Sequence, residues 1–172
     1  MQIRLATRKD LDSILIITKQ ASQRLSRQGI PQWQGGYPSR QNFEHDVVKN
    51  QLYVAINTHH EIVGFASISL DEDSNYDEVY GGSFWTIHHP SVVIHRLAVD
   101  EGHLGQGIAQ ALYQHAEVVA KSNGRQSLKV DTHEKNSAMN QLILKMGYRL
   151  VGKVKLAHDA NDPWRLAYEK VI

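Results

Sequence analysis

Apolar residues along this chain follow two rhythms, a period of two and a period near 3.6, and the switches between them mark the elements. Residues 2–6 (Gln-Ile-Arg-Leu-Ala) alternate and predict a short strand. Thr7 and Asp10 then offer polar starts for a helix carrying Leu11, Ile14, Leu15, Thr18 and Ala21 on one face. Pro31, Trp33, Gly35, Gly36, Tyr37 and Pro38 punctuate a loop, and a short helix follows from Ser39 to about Lys49. Two β-rich runs, 52–57 and 62–70, flank a polar turn at 58–61 and read as a hairpin. Residues 71–91 are polar, then rich in glycine and aromatics, and read as a long, partly extended excursion.

Residues 92–99 form a strongly apolar strand ending at Asp100. After a glycine-rich turn, Ile108, Ala111, Leu112, His115 and Val119 mark one face of a helix that stops near Asn123-Gly124. Another strand covers 128–131. Asn136 opens a helix with Met139, Leu142, Ile143 and Met146 at helical spacing, stopped by Gly147. Strands at 148–156 and 165–171, joined by a His-Asp-Ala-Asn-Asp-Pro turn, complete the chain. The order β-α-α-β-β-β-α-β-α-β-β predicts an α/β fold, a mixed sheet with helices on both faces. No repeat, low-complexity tract or Pro/Ser-rich linker interrupts it, so a single domain over 1–172 is expected.

Composition narrows the chemistry. With 41% hydrophobic and 22% charged residues among 172, the chain can build an ordinary core. No stretch approaches the roughly 18–20 apolar residues that span a bilayer, and the N-terminus carries no signal-like apolar region, so a cytoplasmic protein without a membrane partner is expected. The absence of cysteine excludes disulfides, thiolate metal sites and a cysteinyl acyl-enzyme. A net charge of +1, with Lys and Arg spread evenly, argues against nucleic acid while leaving room for a local phosphate pocket. The 71–91 excursion and the edge strands offer surfaces for a homodimer.

The segment 93–112, VIHRLAVDEGHLGQGIAQAL, carries the chemistry. A buried strand runs through a glycine-rich turn straight into a helix, whose first amides lack internal partners and carry partial positive charge. Gly105 and Gly107 remove side chains, so backbone N–H groups can approach an anion. A tight turn without any ligand explains the same glycines equally well. Gly102 and Gly107 stand at Walker A spacing, but Ile108 and Ala109 replace the required Lys and Ser/Thr. Gly105-Gln106-Gly107 begins a dinucleotide fingerprint, but Gln110 stands at the third glycine position.

The stretch resembles motif A of the Gcn5-related N-acetyltransferases (GNAT), in which a strand ending Leu-Ala-Val precedes Gln/Arg-x-x-Gly-x-Gly/Ala. Aligned on Leu97-Ala98-Val99, the signature falls on Leu104-Gly105-Gln106-Gly107-Ile108-Ala109. Gly107 and Ala109 match, and Leu104 replaces the usual Gln or Arg. Asn136, Met139, Leu142 and Gly147-Tyr148 resemble a second family segment, whose asparagine contacts the CoA arm. That segment's tyrosine, often the acid for the leaving thiolate, falls at Ile143. The Trp33–Pro38 loop, the Ile94-His95-Arg96 run and Asp131-Thr132-His133-Glu134 also look like a bacterial subgroup of the family. The resemblance implies the GNAT fold, a central, mostly antiparallel mixed sheet. It also implies acetyl-CoA as cosubstrate and direct acetyl transfer to the amine of a small molecule or protein, with the Val99 N–H as oxyanion donor.

An alkylammonium with a pKa near ~10 must lose a proton before it can attack. Candidates for that work are His133 and Glu134, just past a strand end, and His95. Each has a plainer reading: His95 as a satisfied sheet residue, Glu134 as a helix cap, Tyr148 as core. Trp33 and Tyr37 could wall an acceptor pocket or simply pack. A metal is not expected, because Ser137 stands where a zinc helix needs its second histidine after His133, and Gly64 does so after His60. The adjacent pairs His59-His60 and His88-His89 would point to opposite faces of an extended segment. Two other functions stay open: a silent acyl-CoA-binding or sensing module, favoured by Ile143 and Leu104, and a nucleotide-phosphate enzyme, opposed by the missing Walker lysine.

Overall fold

The computed structural model describes residues 1–86 and 90–172; the His88-His89 pair therefore lies outside the described residues. Its elements are β1 (Gln2–Leu5), α1 (Leu11–Arg27), α2 (Arg40–Val48), β2 (Leu52–Ile56), β3 (Ile62–Ser69), β4 (Val92–Val99), α3 (Ile108–Ser122), β5 (Ser127–Thr132), α4 (Ser137–Lys145), β6 (Arg149–Lys155) and β7 (Trp164–Val171). The order is the one predicted from periodicity. The seven strands form one mixed sheet in the order β1-β2-β3-β4-β5-β7-β6, with β4–β5 parallel and the 52–56 and 62–69 strands pairing as the expected hairpin.

Local polar chemistry sets the element ends. Asp10 accepts the Thr7 N–H at 2.7 Å, closing a capping box, and takes both Arg4 guanidinium nitrogens at 2.8 and 2.9 Å. The Arg4 hydrogen bond holds the Asp10 pKa at about 2, against a burial penalty in the opposite direction. This cap starts a short 3-10 turn at Arg8–Asp10, and α1 begins only at Leu11. Ser39 and Asn42 make a second capping box for α2, and the Asn136 side chain caps α4 by accepting from the Met139 N–H at 3.3 Å. Gly124 and Gly147, at φ +62° and +87°, end α3 and α4 in the left-handed conformation.

By density of contacts the chain divides into two compact units, Met1–Ile68 with His95–His115, and Ser69–Ile94 with Ala116–Ile172. The boundaries fall inside β3, inside β4 and inside α3. In the first unit, Leu11, Ile14 and Ile17 of α1 pack with Phe43 of α2 and with Leu52, Val54 and Phe65 of the hairpin. Phe43 and Phe65 meet edge to face at 5.2 Å, and both are fully buried. In the second unit, Val151, Val154 and Ala167 pack with Tyr76, Phe84 and Val93.

Of the 71–91 excursion, residues 71–86 are more ordered than their composition implied. They contain a 3-10 turn at Ser74–Tyr76, and Tyr80 exchanges backbone hydrogen bonds of 2.8 and 2.9 Å with Lys153 of β6. Gly82 and Gly152 permit this close pass: a Cβ on Gly82 would stand 1.8 Å from the Val151 carbonyl oxygen. Sequence periodicity missed the pairing because it consists of a single bridge.

Candidate functional site

The first unit holds the turn between β4 and α3. Asp100 accepts the Gly102 N–H at 3.1 Å and sits 2.6 Å from the His103 Nδ1. Burial pushes the Asp100 pKa up, but hydrogen bonds from His103, Gln20 and Gly102 outweigh it and hold the carboxyl below its ordinary value. The chain then turns through Gly105 and Gly107, both at positive φ (+75° and +80°), where a Cβ would strain the backbone. The first helical bond of α3 runs from the Ala111 N–H to the Gly107 carbonyl at 3.0 Å.

Among the described residues, none of the amides from Leu104 to Gln110 donates to a protein acceptor. Unpaired amides in series at a helix start make a concave cradle of partial positive charge, suited to an oxygen-rich anion. Gly64 on β3 seats this helix start, because a Cβ there would lie 2.8 Å from the Ile108 Cγ2 and 3.1 Å from the Ala98 carbonyl oxygen. Sequence reading missed that role; a lone glycine inside an apolar strand was its signal. Ala98, Val99 and Ile108 are buried, while Leu104 is exposed. Gly105 and Gln106 are also exposed, and Leu97, Gly107 and Ala109 half-buried.

Near the other end of the same β4 segment stands a polar network that joins Tyr37 and Arg96 to Asp46 and Ser67. Asp46 is buried, and its Oδ2 accepts from the Arg96 Nη1 at 2.7 Å and the Ser67 Oγ at 2.5 Å. Arg96 adopts φ +48°, its Nε donates to the Tyr37 hydroxyl at 3.2 Å, and its guanidinium faces the Tyr37 ring. An arginine inside a strand as apolar as 92–99 was the available clue. Trp33 packs against the first unit's core, and its carbonyl accepts from the Ser22 Oγ at 2.8 Å. Tyr37 is thus tied to a buried ion pair, whereas Trp33 is tied to α1.

The proton-work candidates have different surroundings. His95, on β4 and half-buried, precedes the left-handed Arg96. His133 is 4% exposed, and the Lys135 N–H donates to its Nδ1 at 3.0 Å. Its Nε2 must then carry the proton, which it donates to Asp162 at 2.9 Å. Both ring nitrogens are therefore engaged. Asp162 belongs to the β6–β7 turn, where buried Arg165 also binds Asp159 at 2.9 Å, so His133 ties that turn to the end of β5. Glu134 is exposed, 3.4 Å from the Lys153 ammonium. The Asn136 side-chain oxygen is spent on its cap, and Ile143 is fully buried, so position 143 supplies packing and no proton. Among the described residues, no group of three or more His, Asp or Glu is placed to hold a metal ion, and no helix is long and apolar enough to cross a membrane.

A mixed seven-stranded sheet whose central strand feeds a glycine turn and a helix start defines an α/β class in which that helix start is able to hold an anion by main chain. Comparison with known proteins narrows the class. The family model described as acetyltransferase (GNAT) family matches residues 19–148. This chain belongs to that family. No curated protein matches it. Among solved structures, a GNAT-family acetyltransferase from Streptococcus agalactiae 2603 is 29% identical with a TM-score of 0.87, over 99% of this chain and 95% of that one. An acetyltransferase from Staphylococcus aureus Mu50 is 27% identical with a TM-score of 0.73, over 99% of each chain. The PaiA N-acetyltransferase from Thermoplasma acidophilum, solved with coenzyme A, is 16% identical with a TM-score of 0.71, over 99% of this chain and 98% of that one, and shares the fold.

Proposed function

We propose that this chain is an acetyl-CoA-dependent N-acetyltransferase that passes the acetyl group directly to a primary amine of a small molecule or protein. The observation that carries the reading is the run of amides from Leu104 to Gln110, unpaired among the described residues and opened by Gly105 and Gly107. Those amides fit the diphosphate of the coenzyme, with Leu97, Ala98 and Val99 leading into the turn and Asn136 marking the second family segment. In the transfer a nitrogen–carbon bond forms, the thioester carbon–sulfur bond breaks, and the acceptor's surplus proton leaves. His95, Glu134 and His133 are the candidates to accept that proton, and His133 has both ring nitrogens engaged by Lys135 and Asp162. The proposal includes one working domain over 1–172, acting in the cytoplasm.

A second reading, binding of acyl-CoA without turnover, is favoured by buried Ile143 and by the locked His133. Release of CoA thiol, measured over an amine panel beside acetyl-CoA binding by thermal shift, separates the two. Release with any amine supports the transferase. Binding without release from the whole panel supports the silent module, and absence of binding defeats both.

A further inference from the structure

The second unit holds a cavity of about 320 Å³, to whose described lining the 93–112 segment contributes Val93 alone. Its described lining includes apolar Tyr76, Phe84 and Val93, the carboxylates of Glu72, Asp73 and Asp77, and Lys129 of β5. At roughly 30 Å³ per water it has room for a compact molecule of about ten heavy atoms.

Lys129 is the unexpected member. It is only 8% exposed, and among the described residues its ammonium makes neither a hydrogen bond nor an ion pair. Its ammonium lies over the Phe84 ring, whose centroid is 4.3 Å from Nζ. The obvious counter-ion is taken: Glu169 sits opposite Lys129 in the β5–β7 register, fully buried, but it accepts from the Trp85 N–H at 2.6 Å, the Thr86 N–H at 3.3 Å and the Thr86 hydroxyl. Glu169 and Glu72 act on Lys129 only through space, and burial wins, pushing the lysine pKa down. A buried ammonium with one aromatic contact is costly unless a ligand completes it. Glu72 and Asp77 are exposed on the rim. The cavity therefore keeps a cation and carboxylates farther apart than an ion pair.

We propose that this cavity binds a small zwitterion, an amino-carboxylate whose anionic end meets Lys129 and whose ammonium end meets Glu72 and Asp77. As a binding site the inference stands alone.

Calorimetric titration of the full chain with γ-aminobutyrate, butylamine and butyrate tests it. The zwitterion is expected to bind at least ~10-fold more tightly than either half-molecule, because charge-assisted contacts form at both ends. Lys129→Met should weaken γ-aminobutyrate to the level of butylamine, and Glu72→Gln with Asp77→Asn should weaken it to the level of butyrate. The rim substitutions are exposed, so they report even where Lys129→Met lowers stability. Equal binding of butylamine, indifference to both variants, or no binding of any probe overturns the inference. Acetyl-CoA titrated into the same samples keeps the readings apart: its binding beside failed zwitterion binding defeats only the cavity proposal, and the reverse pattern defeats only the coenzyme site.

Discussion

The β4–α3 turn of the first unit and the cavity of the second are both polarised, but they are made of different material. The turn presents main-chain amides, with Gly105 and Gly107 keeping side chains away and Leu104 pointing outward. The cavity presents side chains, with Lys129 and the rim carboxylates supplied by separate segments. A main-chain site depends on local conformation and tolerates side-chain change around it. A side-chain site depends on packing that brings distant residues together. Substitutions should therefore separate ligand affinity from stability in opposite ways at the two places.

The largest effect is expected at Glu169. Glu169→Ala strands the Trp85 and Thr86 donors and removes the fully buried carboxylate opposite Lys129, so it should cost about 3–5 kcal/mol in chemical denaturation. Acetyl-CoA affinity of the remaining folded protein should be unchanged; a parallel loss would break the contrast. Next comes Gly107→Val, which places a β-branched side chain at φ +80° in the cradle. Acetyl-CoA binding should fall on the order of 100-fold, about 2.7 kcal/mol, by calorimetry, with γ-aminobutyrate binding retained.

A smaller effect concerns pH. The Arg4 hydrogen bond lowers Asp10 from 3.8 to about 2, so the folded state binds this proton less readily than the unfolded chain. The resulting stability is present in full above pH 4 and disappears as pH falls through about 2. It amounts to about 2 kcal/mol, and Asp10→Asn should remove that part of the acid-melting curve. The smallest change is a gain. Leu104→Arg restores the side chain usual in motif A and should tighten acetyl-CoA by about 2- to 5-fold, as one exposed charge–phosphate contact allows. Weakened binding would mean that the turn does not face the coenzyme phosphates.

The same division explains what could be read in advance. The element order, the Asn136 cap and the Gly147 stop follow from residues a few positions apart. So does the amide turn, since a strand, two glycines and a helix start are contiguous in the chain. The excursion at 71–91 was legible only as a loop, because the order of residues 71–86 comes from one bridge to Lys153 and from burial of Phe84. Tyr37 was noticed as an aromatic, yet its partner Arg96 acquires meaning only beside Asp46.

Local rules thus determined, from sequence alone, the succession of strands and helices and the main-chain cradle at Leu104–Gln110. They did so because backbone conformation and capping answer to near neighbours. Tertiary structure alone decided that His133 would be locked by Asp162, that Gly64 would seat α3, and that Lys129 would be buried while its facing Glu169 was spent on Trp85 and Thr86. Each of those outcomes turns on which distant side chains share one small volume of low polarity, where a missing partner costs most.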